Sequence, residues 1–176
     1  MITLTIGDYY DRCVDFYRDN TAITFKDQSY TYYEMGHNSL CLGNALQKIG
    51  LKKGDKVALL MANCPEYIFC EYAIAKIGGI RVPLAVLLSS NDHIYMMNQA
   101  ESVALIYHES LAARVNDMMP HLETVKHFIC ASEDPAGIMD GHLHLQSLIK
   151  EHSPEVPKVE IDPEDLVGIY YTGGTT

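Results

Sequence analysis

The chain has 176 residues, 48% of them hydrophobic, and a formal net charge of −10. That length and apolar content suit one ordinary domain with a core and exclude a disordered or fibrous protein. The acidity argues against a nucleic-acid-binding face, fits a solvated surface best, and leaves room for a locally positive nucleotide site.

In chain order, Ala22–Phe25 and Ser29–Tyr32 flank Lys26-Asp27-Gln28 and read as a β-hairpin. Thr31-x-x-Glu34 is a capping-box signature, and Met35, Asn38, Leu42, Ala45, Leu46 and Ile49 then recur at helical spacing up to Gly50. Lys56–Ala62 reads as a buried strand. Pro65 suits the first turn of the next helix, whose apolar face is Ile68, Phe69, Tyr72, Ala73 and Ile77. Ile80–Leu87 reads as a strand, with Pro83 favouring an edge or a bulge because it lacks a ladder donor.

Ser89-x-x-Asp92 opens a helix, Ser102–Tyr107 is a strand, and Leu111, Val115 and Met118 mark another helix. Val125–Cys130 is a strand, residues 131–141 form a polar loop, and a short helix runs around His144–Glu151. Beyond a proline-containing connector, Leu166–Tyr171 reads as a final buried strand. Strands alternating with helices predict an α/β fold, a mostly parallel sheet with helices on both faces. Ligands of such sheets bind beyond the carboxyl ends of the strands.

Five cysteines (Cys13, Cys41, Cys64, Cys70 and Cys130) are scattered with no C-x-x-C pair. Neither a zinc site nor a redox motif is suggested, and reduced thiols in a cytoplasmic protein fit best. The N-terminal residues show no basic segment ahead of an apolar one, so no secretory signal is expected. The longest apolar run, Val82–Leu88, is too short for a transmembrane segment.

The residues that point to chemistry are Thr172, Gly173, Gly174, Thr175 and Thr176. Glycines directly after an apolar strand let backbone N–H groups approach phosphate oxygens, with threonine hydroxyls alongside. The stretch also fits a tight turn before another helix, and it is not a Walker A loop, whose spacing is absent. His142 and His144 are too few for a metal site and read as solvated loop residues. Ser89-Ser90 reads as a helix cap rather than a nucleophile, since no G-x-S-x-G elbow surrounds it. Glu133-Asp134 and Glu164-Asp165 read as solvated or helix-start acids.

Several segments in order resemble those of the adenylate-forming (AMP-dependent synthetase/ligase) superfamily of acyl-CoA synthetases, adenylation domains and luciferases. They are Thr5-Ile6-Gly7-Asp8, Tyr30-Thr31-Tyr32-Tyr33-Glu34-Met35, Gly50-Leu51-Lys52-Lys53-Gly54-Asp55-Lys56-Val57-Ala58, Asn63-Cys64-Pro65-Glu66-Tyr67 and Lys76–Leu84. Tyr171-Thr172-Gly173-Gly174-Thr175-Thr176 is similar to the start of that family's "YTSGTTGxPK" loop, with Gly173 where Ser is common. The Gly-Gly form resembles long-chain fatty acyl-CoA synthetases.

The resemblance implies an ATP-dependent ligase. A small-molecule carboxylate is activated as an acyl-adenylate with release of pyrophosphate and passes to a thiol, usually coenzyme A, with Mg²⁺ assisting. By carry-over, residues 172–176 would cradle the ATP phosphates. The chain would be an N-terminal fragment, inactive by itself, with residues 1–50 as a hairpin and helix and residues 51–176 as an α/β subdomain of one larger N-terminal domain. The first fifty residues would pack largely with later parts of the parent chain. The fragment would then expose apolar surface and a strand edge through which it could dimerise. A nucleotide-binding regulatory domain and a non-catalytic interaction module on the same scaffold remain as alternatives.

Overall fold

The computed structural model describes residues 4–172. It opens with a helix that the spacing analysis passes over, α1 (Ile6–Tyr17). Thr5 caps it: its hydroxyl accepts from the Asp8 N–H at 3.0 Å while Asp8 accepts from the Thr5 N–H at 2.9 Å. The hairpin follows as β1 (Thr21–Phe25) and β2 (Gln28–Thr31), an antiparallel pair with Phe25 opposite Gln28. Thr31 and Glu34 form the expected capping box of α2 (Tyr32–Lys48), and Gly50 leaves that helix with φ of +107°.

From there strands and helices alternate as β3 (Lys56–Leu60), α3 (Pro65–Lys76), β4 (Ile80–Pro83), α4 (Ser90–Gln99), β5 (Ser102–His108), α5 (Ala112–Met118), β6 (His127–Ala131), β7 (Leu143–His144) and α6 (Leu145–Glu151). The five strands from β3 onward form one sheet, ordered β4-β3-β5-β6-β7, with every pair parallel.

Both faces of this sheet are buried, and the burial follows the period of two that a pleated strand imposes. Val57, Leu59, Ala104, Ile106 and Ile129 point to one side, where Leu42, Leu46, Ile74 and Leu148 of α2, α3 and α6 cover them. Ala58, Leu60, Leu105, Tyr107 and Cys130 point to the other, beneath Met97 of α4 and Val115 and Met118 of α5. A smaller cluster of Tyr10, Met35 and Phe69 joins α1 and the hairpin to the outer side of α3. There Tyr10 stacks on Tyr72 with ring centroids 3.6 Å apart, and the buried Lys76 ammonium donates to Asp11.

Two expectations are corrected at the β4 margin. The strand expected over Ile80–Leu87 stops at Pro83, after which Ala85–Leu88 forms a turn closed by Leu88 N–H donating to Ala85 O at 3.0 Å. Proline at the edge ends the ladder there. The final strand expected over Leu166–Tyr171 reduces to one parallel bridge between Arg81 and Gly168. Leu166 is 68% exposed and Tyr170 60%, because only β4 borders the segment among the described residues.

Candidate functional site at the carboxyl edge of the sheet

The single bridge fixes how the segment before the glycine/threonine stretch runs. Arg81 N–H donates to Val167 O at 3.1 Å and Ile169 N–H donates to Arg81 O at 2.9 Å, so the segment runs parallel to β4. Ile169 and Tyr171 pack against the α4/α5 side of the core, and the Tyr171 hydroxyl donates to Met96 O at 3.0 Å. Burial raises the Tyr171 phenol above its ordinary range, so it stays a protonated donor. Thr172 is exposed and lies past the carboxyl end of β4. Gly173, Gly174, Thr175 and Thr176 fall outside the described residues.

The neighbouring turn is held from beneath by side chains that sequence reading gave no role. The buried ring of His93, on α4, places Nε2 3.0 Å from Ala85 O, and Arg114, on α5, donates from Nη1 to Val86 O at 2.7 Å. Ser89 caps α4, its hydroxyl accepting from Asp92 N–H at 3.2 Å and donating to the Asp92 carboxylate at 2.6 Å. A serine so engaged is a cap, as its spacing indicates. On the outer side Arg81 reaches Glu71 at 3.3 Å and donates to the Tyr170 hydroxyl at 2.8 Å.

A cleft of about 420 Å³ opens on the same edge but over β3, β5 and β6, away from Thr172. Cys64 lines it, and burial pushes its thiol up to about 11, which disfavours the thiolate.

The two loop histidines are packed, which corrects the solvated reading. His142 Nδ1 lies 2.7 Å from the Tyr107 hydroxyl and its ring stacks on Phe128 at 5.0 Å; burial holds it below its ordinary value. His144 spans Ser132 O and the Ser147 hydroxyl, each at 2.9 Å, and so ties the loop after β6 to α6. Of the paired acids, Asp134 accepts from Ala136 N–H at 2.8 Å, and Asp165 pairs with Lys53 at 2.6 Å. Both acids serve local structure. Among the described residues, no group of three His, Cys, Asp or Glu side chains is placed to hold a metal ion, and no helix is long and apolar enough to cross a membrane.

An apolar segment leaving a parallel sheet at its carboxyl edge and running into glycines and threonines suits a phosphate-bearing ligand. A family model described as AMP-binding enzyme matches residues 10–176, nearly the whole chain. The chain belongs to the AMP-binding enzyme family.

Relatives of this AMP-binding family member are CoA ligases. The crotonobetaine/carnitine–CoA ligase of Salmonella arizonae is 28% identical over 174 residues, which cover 95% of this chain and 34% of the relative. The 4-coumarate–CoA ligase 2 of Solanum tuberosum is 28% identical over 150 residues, 85% of this chain and 26% of the relative. Among solved structures, the anthranilate CoA ligase AuaEII in complex with anthranoyl-AMP superposes with a TM-score of 0.92 at 23% identity, over 100% of this chain and 33% of that one. The long-chain-fatty-acid-CoA ligase FadD1 of Archaeoglobus fulgidus gives 0.84 at 20% identity, over 99% and 35%. These superpositions establish the fold: the mostly parallel sheet is that of the N-terminal domain of adenylate-forming enzymes. The chain spans about a third of the length of the ligases it matches.

Proposed function

We propose that this chain is the N-terminal part of an AMP-forming acid–thiol ligase. On this reading Thr172, Gly173, Gly174, Thr175 and Thr176 hold the ATP phosphates, and the chain alone does not turn over. The observation that carries the reading is the parallel pairing of Gly168 with Arg81, which directs the following residues out of the carboxyl edge. Thr172 is exposed and the segment before it is anchored by Tyr171, so the start of the loop fits a phosphate group.

When bound, ATP supplies an activated α-phosphorus that a carboxylate attacks, with pyrophosphate as the leaving group. The contribution of this chain is positioning. Tyr171 fixes the depth of the loop, and backbone N–H groups of residues 173–176 stabilise negative charge on the phosphates as it develops. Gly173 in place of a serine keeps its N–H and removes a hydroxyl. Magnesium accompanies ATP on this reading. Such an ion is commonly held by phosphate oxygens, water and one or two carboxylates rather than by a closed protein cage. Coenzyme A is the acceptor that the named relatives favour.

The substrate we favour is a fatty acid, in a cytoplasmic setting. The Gly173-Gly174 pair, which resembles that of long-chain fatty acyl-CoA synthetases, supports that choice. The test is acyl-CoA formation and pyrophosphate release by the full-length protein carrying this chain, across carboxylates of increasing chain length. Turnover should peak at an aliphatic acid. A peak at an aromatic or a betaine-type acid would overturn the fatty-acid assignment, and failure to release pyrophosphate with any carboxylate would overturn the ligase.

A further inference from the structure

We propose that the crevice over the carboxyl ends of β3, β5 and β6 is a second small-molecule site, suited to an uncharged ligand that carries vicinal hydroxyls. The first argument is topological. β3 sits between β4 and β5, so the chain leaves β3 toward one side of the sheet and leaves β5 toward the other. The segment after β3 enters α3, on the α2/α6 face, whereas the segment after β5 enters α5, on the opposite face. Where successive connections diverge like this, a gap opens between them, and it is the usual ligand crevice of an open parallel sheet. The cleft of about 420 Å³ lies there, between residues 62–66 and residues 108–110, and the β1–β2 turn walls it on the outside. That volume suits a ligand of nucleoside or monosaccharide size.

The second argument is the state of the polar groups. The amide of Asn63 and the ammonium of Lys26 make no hydrogen bond or ion pair to protein among the described residues, although Lys26 lies 5.2 Å from the Phe25 ring centre. Gln146 accepts from Ser132 N–H at 3.3 Å, which leaves its NH₂ group unspent. His108 Nδ1 accepts from Ser110 N–H at 3.2 Å, which leaves Nε2 to present a further donor. Against these donors stand the carboxylates of Asp27, Glu66 and Glu133, none of them in an ion pair among the described residues.

Three carboxylates facing one ammonium disfavour a phosphate or other multiply charged anion. Hydroxyls match the set, because each can donate to a carboxylate and accept from an amide or ammonium. Ala62, Pro65 and Ala131 supply the apolar floor against which a ring can lie. Neither Tyr171 nor Thr172 lines the cleft, so the proposal stands apart from the adenylation reading and can fail without it.

The test is an NMR titration of the chain with adenosine, methyl β-ribofuranoside, 2′-deoxyadenosine and AMP, following the side-chain amides of Asn63 and Gln146. Adenosine should produce saturable shifts at both, with 2′-deoxyadenosine and AMP each about tenfold weaker, the scale of one lost hydrogen bond or one repulsive contact. If the ribofuranoside matches adenosine, the diol alone is recognised; if only adenosine binds, the base contributes. Either result upholds the site. Glu66→Gln should narrow the gap between adenosine and AMP, and Asn63→Ala, at an exposed position, should weaken adenosine about tenfold without unfolding the chain. No saturable shift, shifts centred on Thr172, or AMP binding tighter than adenosine would overturn the proposal.

Discussion

Val57–Leu60 and Leu166–Tyr171 are both short apolar runs, yet they meet opposite fates. In β3 all four side chains are fully buried, between α2, α3 and α6 on one face and α4 and α5 on the other. In the later run Leu166 and Tyr170 stand mostly in solvent and one bridge joins the segment to the sheet. The difference lies in their neighbours. β3 is paired on both sides, whereas among the described residues the later run borders only β4, itself a short strand ended by proline. A hydrophobic run states a capacity for burial, and pairing partners and covering helices decide whether it is used.

That contrast sets the order of expected effects. Leu59→Ala removes a fully buried side chain at the centre of the larger core and should cost about 2–5 kcal/mol by urea unfolding. A cost below about 1 kcal/mol would mean that the inner strands are no better packed than the margin. Tyr171→Phe removes the hydroxyl that anchors the later segment to Met96 O and should cost about 0.5–1.5 kcal/mol. Hydrogen exchange at Ile169 should quicken in that variant while Leu59 is unchanged; equal quickening at both would merge the two regions.

A smaller effect concerns pH. Burial favours neutral His142 in the folded chain, so below its ordinary value of 6.5 the unfolded chain binds the extra proton and the folded chain does not. The contribution of this group is therefore intact above that value and is lost as pH falls toward the depressed folded value. His142→Phe should flatten the fall in urea midpoint between about pH 7.5 and pH 5.5 relative to the parent chain. An unchanged slope would show that the ring is not held neutral by its packing. Smallest of all, Leu166→Ala should stay within about ±0.5 kcal/mol. A loss like that of Leu59→Ala would show that the segment is packed in solution.

Much of this was legible in the sequence. The Thr31-x-x-Glu34 and Ser89-x-x-Asp92 spacings mark two helix starts that the structure forms as capping boxes. The βαβ alternation implies the parallel sheet and places Thr172 at its carboxyl edge. The same signature stands at Thr5-x-x-Asp8, with Ile6, Tyr10 and Val14 at helical spacing, and it marks the start of α1. β7 is two residues long, too short for any period to appear.

The packing of His142 under Tyr107 and the hold of Arg114 on the turn after β4 join residues 35 and 28 apart in the chain. The cleft likewise draws on five separated segments, from the hairpin turn to Gln146 on α6. No local pattern encodes such meetings. The topology of the sheet creates them.

On the proposed reading, the segment emerging beside β4 leads into the ATP-phosphate loop of an adenylate-forming ligase. Isotope exchange between pyrophosphate and ATP in the full-length protein reads the first half-reaction alone. The account predicts exchange that requires a carboxylate and falls at least about a hundredfold in Gly174→Val, where a side chain would obstruct the approach of phosphate to the backbone. Exchange that is absent with every carboxylate, or undiminished in that variant, would contradict it.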